Sequence, residues 1–145
     1  MKSRSFLDTN IAVYAHDADA GPKRLIATSL LADGLRSRTG VISTQVLQEY
    51  FNTATRKLEV PTADARRTME QRARLDVVQV KPALIFEAVD CHRLNRISFW
   101  DALVVRAAVA AGCAVLCSED LGHGQVIDGV RIENPLRGLD VTAPA

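Results

Sequence analysis

The sequence predicts an α/β domain built on a central, mainly parallel sheet of about five strands. Short runs rich in Val, Ile or Leu alternate along the chain with longer segments that repeat apolar residues at helical spacing. The 145 residues, 48% of them hydrophobic and 24% charged, have the proportions of one globular domain. A chain of this length buries about 70% of the surface that its unfolded form exposes, so its core needs no disulfide or structural metal.

Five short runs are predicted to be the strands, because each is apolar and rich in aliphatic residues. They are residues 5–8, 40–43, 76–81, 113–117 and 130–133. No internal repeat, low-complexity tract or Pro/Gly-rich linker interrupts them. The strands therefore belong to one continuous domain.

The segments between these strands are predicted to be helical. Residues 22–38 open with Pro22 at a first-turn position, which suits the start of a helix. Ser43 or Thr44 caps a second helix, and its apolar stripe is Leu47, Tyr50, Phe51, Ala54 and Leu58. The other predicted helices are residues 62–75, residues 82–94 and a segment from Ser98 to near Gly112.

The last of these helices is almost wholly apolar, so it has to be buried. It leads directly into the apolar run 113–117, and a helix followed by such a strand is half of a βαβ crossover. Several such crossovers produce a parallel sheet covered on both faces. We therefore predict one domain over residues 1–135, followed by a loosely ordered C-terminal tail, residues 136–145.

Charge and hydropathy exclude several classes of protein. Eighteen Lys and Arg residues oppose seventeen Asp and Glu residues, a formal net charge of +1, so any contact with nucleic acid has to be local. The longest apolar stretch, residues 107–117, is shorter than the roughly 20 residues of a membrane-spanning helix. The first ten residues lack the apolar core of a secretory signal. The sequence therefore predicts a cytoplasmic protein without a membrane segment.

The three cysteines, Cys91, Cys113 and Cys117, are predicted to be buried reduced thiols. Their number is odd and none of them forms a Cys-x-x-Cys pair. A zinc site made by Cys113, Cys117 and His123 is the weaker alternative, because these spacings match no common ligand pattern.

Acidic residues recur at one edge of the predicted sheet. In an open parallel sheet, the ligand crevice lies beyond the carboxyl ends of the strands. Asp8 ends the first strand, Asp120 follows the fourth, and Asp101 lies in the first turn of the helix that leads into the fourth. Glu49 is a fourth candidate, since it lies beside the apolar stripe of the helix after the second strand.

Four carboxylates that share one crevice repel one another, which raises the pKa of each and costs stability. A divalent cation bound between them removes this repulsion. Carboxylate oxygens are preferred ligands of Mg²⁺ and Mn²⁺. Such an ion can activate water and stabilise charge on a phosphoryl oxygen. The pattern therefore favours phosphodiester hydrolysis.

Each acid also has a purely structural interpretation. Asp8 can cap the helix that follows it, and Ser98 and Asp101 have the spacing of a capping box. Glu49 can pair with a basic residue, and Asp120 can shape the turn that contains Gly122 and Gly124. Four independent caps, however, have no reason to recur at one edge of one sheet.

These motifs resemble those of the PIN-domain nucleases, and most closely the VapC-type toxins of bacterial toxin–antitoxin pairs. The matching segments are Phe-Leu-Asp-Thr-Asn at residues 6–10, Val-Leu-Gln-Glu-Tyr at 46–50, Ser-Phe-Trp-Asp-Ala-Leu at 98–103 and Ser-Glu-Asp-Leu at 118–121. Each motif is short, but their order and spacing cover nearly the whole chain. The resemblance implies a three-layer α/β/α sandwich.

The resemblance also implies a site and an activity. It makes Asp8, Glu49, Asp101 and Asp120 the catalytic acids, with Asp8, Asp101 and Asp120 as ligands of Mg²⁺ or Mn²⁺. The supporting residues would be Thr9, Asn10, Ser118 and Glu119. The implied activity is metal-dependent endoribonuclease cleavage by a cytoplasmic toxin, with RNA as the substrate. The implied partners are a second copy, in a homodimer, and a VapB-type antitoxin.

A basic segment is a candidate RNA contact. Residues 56–74 contain six basic and three acidic residues, a net charge of +3, and Arg56, Lys57, Arg66 and Arg67 are its candidate phosphate-binding residues. The alternative is a solvated helix with internal ion pairs, because mixed charges are normal on exposed helices.

Three other functions remain open at this point. A non-catalytic PIN-like module that binds RNA or protein would use the acids only as caps. A receiver-like or phosphatase domain would also place acids at strand ends, but no Asp-x-Asp-x-Thr motif is present. A metal-independent ribonuclease would need its histidines together, whereas His16, His92 and His123 are scattered along the chain.

Overall fold

The computed structural model describes residues 3–139, which form a six-stranded sheet flanked by helices. Along the sheet the strand order is β3-β2-β1-β4-β6-β5. The strands are β1 (Ser5–Leu7), β2 (Gly40–Ser43), β3 (Asp76–Val78), β4 (Val115–Cys117), β5 (Val126–Ile127) and β6 (Val130–Glu133). All neighbouring pairs are parallel except β5 with β6, which is antiparallel.

Six helices accompany this sheet in the part of the chain that is described. They are α1 (Thr9–Tyr14), α2 (Pro22–Ser37), α3 (Thr44–Arg56), α4 (Thr62–Arg72), α5 (Pro82–Asn95) and α6 (Phe99–Ala110). Pro22 opens α2 and Ser43 caps α3, as the sequence predicts. The Ser43 hydroxyl accepts a hydrogen bond from the backbone N–H of Val46 at 3.3 Å.

The predicted α/β class and the mainly parallel sheet are confirmed, with one additional strand. The sheet has six strands instead of about five, because a two-residue strand, Val126–Ile127, pairs with β6 through a tight turn. So short a strand gives no periodic signal in a sequence. The six-residue helix α1 was likewise visible only as a cap at Asp8. Residues 140–145 of the predicted tail lie outside the described residues.

The core lies on the central strands. Phe6 of β1, Ile42 of β2, Leu116 of β4 and Ile132 of β6 are all fully or almost fully buried. The apolar helix α6 is buried as its composition predicts, with six of its residues inaccessible to solvent. Parallel strands covered on both faces are expected to be apolar throughout rather than alternating.

The register of β1 and β4 positions the site. Leu7 lies opposite Cys117, so the two strands end at the same level. The next residue after β1, Asp8, donates its backbone N–H to the Cys117 carbonyl at 3.1 Å. The residue after β4, Ser118, donates in the same way to Glu133 of β6 at 3.0 Å. Polar residues from both strand ends therefore enter one edge of the sheet side by side.

The three cysteines are buried and free, which confirms the prediction of reduced thiols. Burial raises the pKa of Cys117 to about 12, so its thiol is protonated at neutral pH. In residues 3–139, every helix is too short or too polar to cross a lipid bilayer.

Candidate functional site

The four acids that the sequence singles out line one pocket of about 580 Å³ at the carboxyl ends of the central strands, together with a fifth acid, Asp17. The four are Asp8 directly after β1, Glu49 in α3, Asp101 in the first turn of α6, and Asp120 shortly after β4. The structure thus brings together four acids that are separated by up to 112 positions in the chain (8 to 120). The parallel topology is the reason, since it directs all of these element ends to the same edge.

Asp8 is the most buried of the four, with 4% of its surface exposed. Its carboxylate accepts hydrogen bonds from the backbone N–H of Thr9 and from the Ser118 hydroxyl, each at 2.7 Å. The pKa of Asp8 is raised to about 6, chiefly by burial; the two hydrogen bonds oppose this rise, and the negative charges of Asp120 and Glu49 contribute to it more weakly. Asp8 is therefore a buried carboxyl group that lacks a positive partner.

Ser118 connects two of the acids. Its side chain is fully buried. The hydroxyl donates to Asp8 and accepts a hydrogen bond from the backbone N–H of Asp120 at 3.1 Å. One serine thus orients the Asp8 carboxylate and the start of the loop that carries Asp120.

Thr9 and Asn10 hold the other side of the pocket. The Thr9 hydroxyl donates to Glu49 Oε1 at 2.7 Å, and the Asn10 amide donates to Asp120 Oδ2 at 3.2 Å. Asn10 Oδ1 is buried and has no hydrogen-bond partner in the part of the chain that is described. Thr9 and Ser118 therefore each contact two of the acids, and Asn10 contacts one.

Asp101 combines a structural contact with a place in the pocket. Ser98 caps α6 by accepting a hydrogen bond from the backbone N–H of Asp101 at 3.0 Å, as the capping interpretation predicts. The carboxylate nonetheless lines the pocket, and its charge raises the pKa of Asp120, although burial is the larger cause. Asp101 can take part in the helix cap and also lie with the other acids in the pocket, because the cap uses its backbone and leaves its carboxylate available.

These side chains do not form a preorganised metal-binding site. Among residues 3–139, no group of three His, Cys, Asp or Glu side chains is positioned to hold an ion. The zinc alternative with Cys113, Cys117 and His123 is therefore wrong. A hard divalent cation needs fewer protein ligands, since Mg²⁺ commonly binds one or two carboxylates and keeps several waters.

The donor chemistry of the pocket fits such a cation. Its acids supply only oxygen ligands, the pKa values of Asp8 and Asp120 are raised, and neither of these two carboxylates forms an ion pair within residues 3–139. The unpaired oxygen of Asn10 adds a further acceptor beside them. A cation would offset the repulsion between the carboxylates and satisfy acceptors that lack donors.

Glu119 is not among the residues that line the pocket, although it was predicted to be a supporting acid. Its carboxylate accepts hydrogen bonds from the Tyr14 hydroxyl at 2.5 Å and from Lys23 Nζ at 3.2 Å. Lys23 also lies 4.9 Å from the centre of the Tyr14 ring. Glu119 therefore fastens the loop after β4 to α1 and α2.

The candidate phosphate-binding residues separate into two groups. Lys57 lines the pocket, and Arg56 precedes it at the end of α3. Arg66 and Arg67 lie on exposed α4, where they form ion pairs with Glu70 and Asp64 of the same helix. The structure of α4 thus agrees with the alternative interpretation, a solvated helix with internal ion pairs.

Gln45 and Trp100 are among the pocket residues that sequence reasoning missed, as is the acidic residue Asp17. Gln45 is 5% exposed and donates from Nε2 to the backbone carbonyl of Trp100 at 3.3 Å, and both residues line the pocket. Gln45 lies off the apolar stripe of the predicted helix, so the sequence carries no signal for its burial. Trp100 was visible only as the neighbour of Asp101.

Comparison with known proteins agrees with this architecture. A family model described as PIN domain matches residues 5–127. The solved structure of VapC20 from Mycobacterium tuberculosis, described as a Sarcin-Ricin loop cleaving toxin, is similar with a TM-score of 0.64 and 20% identity over 80% of this chain and 89% of that chain.

A second similar structure is VapBC2 from Rickettsia felis, bound to a DNA fragment from its promoter. It has a TM-score of 0.65 and 20% identity over 90% of this chain and 97% of that chain. No curated protein sequence matches the chain. At this level of identity the two solved structures demonstrate a shared fold.

Proposed function

The chain belongs to the PIN domain family, and on this premise we propose that it is an endoribonuclease that depends on Mg²⁺ or Mn²⁺ and acts as the toxin of a VapBC-type toxin–antitoxin pair. The observation that carries the proposal is the meeting of Asp8, Glu49, Asp101 and Asp120 around one pocket. RNA as the substrate is favoured by the similarity to VapC20, which is described as cleaving the Sarcin-Ricin loop.

The proposed roles of the acids are those that the resemblance to PIN-domain nucleases implies. Asp8, Asp101 and Asp120 would hold the cation, one or two of them directly and the rest through its bound waters, and Glu49 would complete the acidic site from α3. A divalent cation supplies stabilisation of the charge that develops on a phosphoryl oxygen, and it lowers the pKa of water. Ser118, Thr9 and Asn10 keep the carboxylates oriented through the hydrogen bonds already described.

The main alternative is a non-catalytic PIN-like module that binds RNA or protein, in which the acids serve as caps. Asp8 does cap α1 through the N–H of Thr9, which favours this alternative. A neutral Asn or Ser caps a helix about as well as Asp. Asp8 instead places a carboxyl group with a raised pKa beside two other acids, an arrangement that costs stability and that a cap does not require.

Cleavage assays with purified protein test the proposal. We expect a single-stranded RNA to be cleaved with Mg²⁺ or Mn²⁺ and to remain intact with EDTA. Asp8→Asn and Asp101→Asn should abolish cleavage, because each removes a charge from the site. Asp33→Asn is the matched control, since Asp33 is an exposed residue of α2 that pairs with Arg36 outside the carboxylate pocket. Undiminished cleavage by Asp8→Asn, or in EDTA, would refute the assignment.

The partner proposals need separate measurements. We propose a homodimer that works in the cytoplasm and is neutralised by a VapB-type antitoxin, in line with the resemblance to VapC-type toxins. Sedimentation of the purified chain tests whether it is a homodimer. Mixing it with the product of a short neighbouring gene tests whether an antitoxin neutralises it, and we expect a stable complex without ribonuclease activity. A monomer, or the absence of a complex, would contradict the corresponding proposal.

A further inference from the structure

Trp100 is an exposed aromatic residue at the carboxylate pocket. It is the second residue of α6, 61% of its surface is exposed, and it lines the same pocket as its neighbour Asp101. The other large apolar side chains exposed in residues 3–139 lie on α2, α5 and β5, and none of them lines this pocket. An aromatic side chain left in water beside acidic groups is suited to contact a ligand.

The position of Trp100 is constrained from two sides. The Phe99 ring meets the indole edge-on, with the ring centres 5.2 Å apart and an interplanar angle of 74°. The backbone carbonyl of Trp100 accepts the hydrogen bond from the buried Gln45. Gln45 Oε1 has no hydrogen-bond partner in the part of the chain that is described, so this wall of the pocket has an acceptor that a donor from a ligand can satisfy. The backbone of Trp100 is therefore anchored to α3, and the Phe99 ring packs against one edge of the indole.

Lys57 supplies a positive charge to the same pocket. It follows α3 as its C-terminal cap residue, is exposed, and is the basic residue among the described side chains that line the pocket. It takes part in none of the ion pairs found in residues 3–139. A free ammonium group and an exposed indole are the two groups that bind a single-stranded nucleotide, one through the phosphate and one through the base.

We propose that Trp100 stacks on the base of an unpaired nucleotide beside the cleaved phosphodiester bond, while Lys57 binds a neighbouring phosphate. This inference rests on the proposed nuclease function and assigns the contact with the unpaired base to Trp100 and the contact with the phosphate to Lys57. A base inside an A-form helix is stacked on its neighbours and has no free face to offer, whereas the bases of loops and single strands do.

Tryptophan fluorescence tests the contact without requiring cleavage. Trp100 is the only tryptophan of the chain, so the emission of the protein reports on this residue alone. The Asp8→Asn protein is titrated with a short single-stranded RNA in Mg²⁺, and binding is followed in parallel by the anisotropy of a labelled RNA. We expect the emission to be quenched along the same binding curve, and much less by a duplex of the same sequence. Complete binding with unchanged emission would overturn the proposal.

Substitutions separate stacking from catalysis. Because stacking of a base on an aromatic side chain is worth about 5-fold to about 150-fold in affinity, Trp100→Ala should raise the KM for single-stranded RNA by a factor in this range with little change in kcat. Trp100→Phe should restore most of the loss, since it retains a ring. Phe86→Ala is the matched control, because Phe86 of α5 is 68% exposed and lies outside the pocket.

The two proposals fail in different ways. If wild-type protein cleaves RNA and Trp100→Ala does so with the same KM, the stacking inference is wrong and the nuclease function stands. If no protein cleaves RNA but Trp100→Ala loses affinity for single-stranded RNA in the anisotropy assay, the stacking inference stands and the nuclease function is wrong. Quenching by an antitoxin but not by RNA would overturn the inference, because it would make Trp100 part of a protein-binding surface.

Discussion

Replacing Asp8 by Asn removes one negative charge from the pocket and keeps the size of the side chain. The change separates two roles of this residue, because a helix cap needs only an acceptor oxygen, whereas an ion ligand needs the charge. Without a cation, we expect Asp8→Asn to be more stable than wild type at pH 8. With Mg²⁺ present, we expect this advantage to shrink, since an ion that binds only the folded wild type stabilises it by mass action.

The magnitude follows from the pKa of Asp8, which burial raises from 3.8 to about 6. At about 1.4 kcal/mol for each pKa unit, the ionised carboxylate costs the folded state about 3 kcal/mol at high pH. Asn can accept only one of the two hydrogen bonds from Thr9 and Ser118, and losing the other costs about 1 kcal/mol. The net gain is about 2 kcal/mol, which corresponds to an increase in Tm of about 4–8 °C for a chain of this size.

The dependence on pH has a definite sign. Well below its ordinary pKa of 3.8, the carboxyl group of Asp8 is protonated in both the folded and the unfolded state, so it costs nothing. As the pH rises from about 4 to about 6 and above, the unfolded state loses this proton first, and the stability of the wild type falls relative to the variant. The advantage of Asp8→Asn should therefore be largest above pH 7 and vanish or reverse near pH 4.

Urea unfolding in EDTA at pH 8, pH 6 and pH 4 measures these differences, with Asp33→Asn as a control for the loss of an exposed carboxylate. The control should stay within about 0.5 kcal/mol of wild type at every pH, as is usual for surface substitutions. If Asp8→Asn is less stable than wild type by the same amount at all three pH values, Asp8 acts as a cap and the reasoning about its charge is wrong.

Three further predictions concern the support of the site and the core. Ser118→Ala should lower the free energy of unfolding by about 1.5–3 kcal/mol at pH 8 and by less at pH 4, because it removes a hydrogen bond to the ionised Asp8 carboxylate; equal losses in urea at the two pH values would contradict this. Gly40→Ala would place a Cβ 2.9 Å from the Gly34 Cα, so α2 has to move away from β2 at a cost of about 1–3 kcal/mol; an unchanged Tm would count against this close approach. The Cys117 thiol, with a pKa of about 12, should react with a thiol reagent only after unfolding; rapid labelling of the folded protein at pH 7.5 would be the opposite result.

The order of helices and strands was predictable because apolar periodicity and caps are local properties of a sequence. Ser43, Ser98 and Pro22 all begin helices where the sequence places them. The two-residue strand β5 was not predictable, because it contains too few residues to show a period and exists only through its pairing with β6. The burial of Gln45 was hidden for a similar reason, since a polar residue carries no sign of the neighbour that accepts its hydrogen bond.

The acids of the site could be identified from the sequence, but their hydrogen-bond partners depend on the tertiary structure. Asp8 and Asp120 were identified by their places at strand ends, but only the parallel register of β1 and β4 gives them a common contact in Ser118. Glu119, adjacent to Asp120, is directed instead to Lys23 and Tyr14. Neighbouring acids in a loop therefore have different surroundings, which their sequence spacing cannot distinguish.

By itself, the sequence determined the α/β class, the order of the elements and the four acids at the sheet edge, because each of these depends on the type and spacing of nearby residues. The tertiary structure alone decided that Asp8 is buried without a positive partner and that Trp100 stands exposed in the same pocket. Burial and charge environment depend on residues that are distant along the chain and adjacent in space. The two properties on which the proposals depend, an uncompensated charge and an open aromatic surface, arise only when those residues meet.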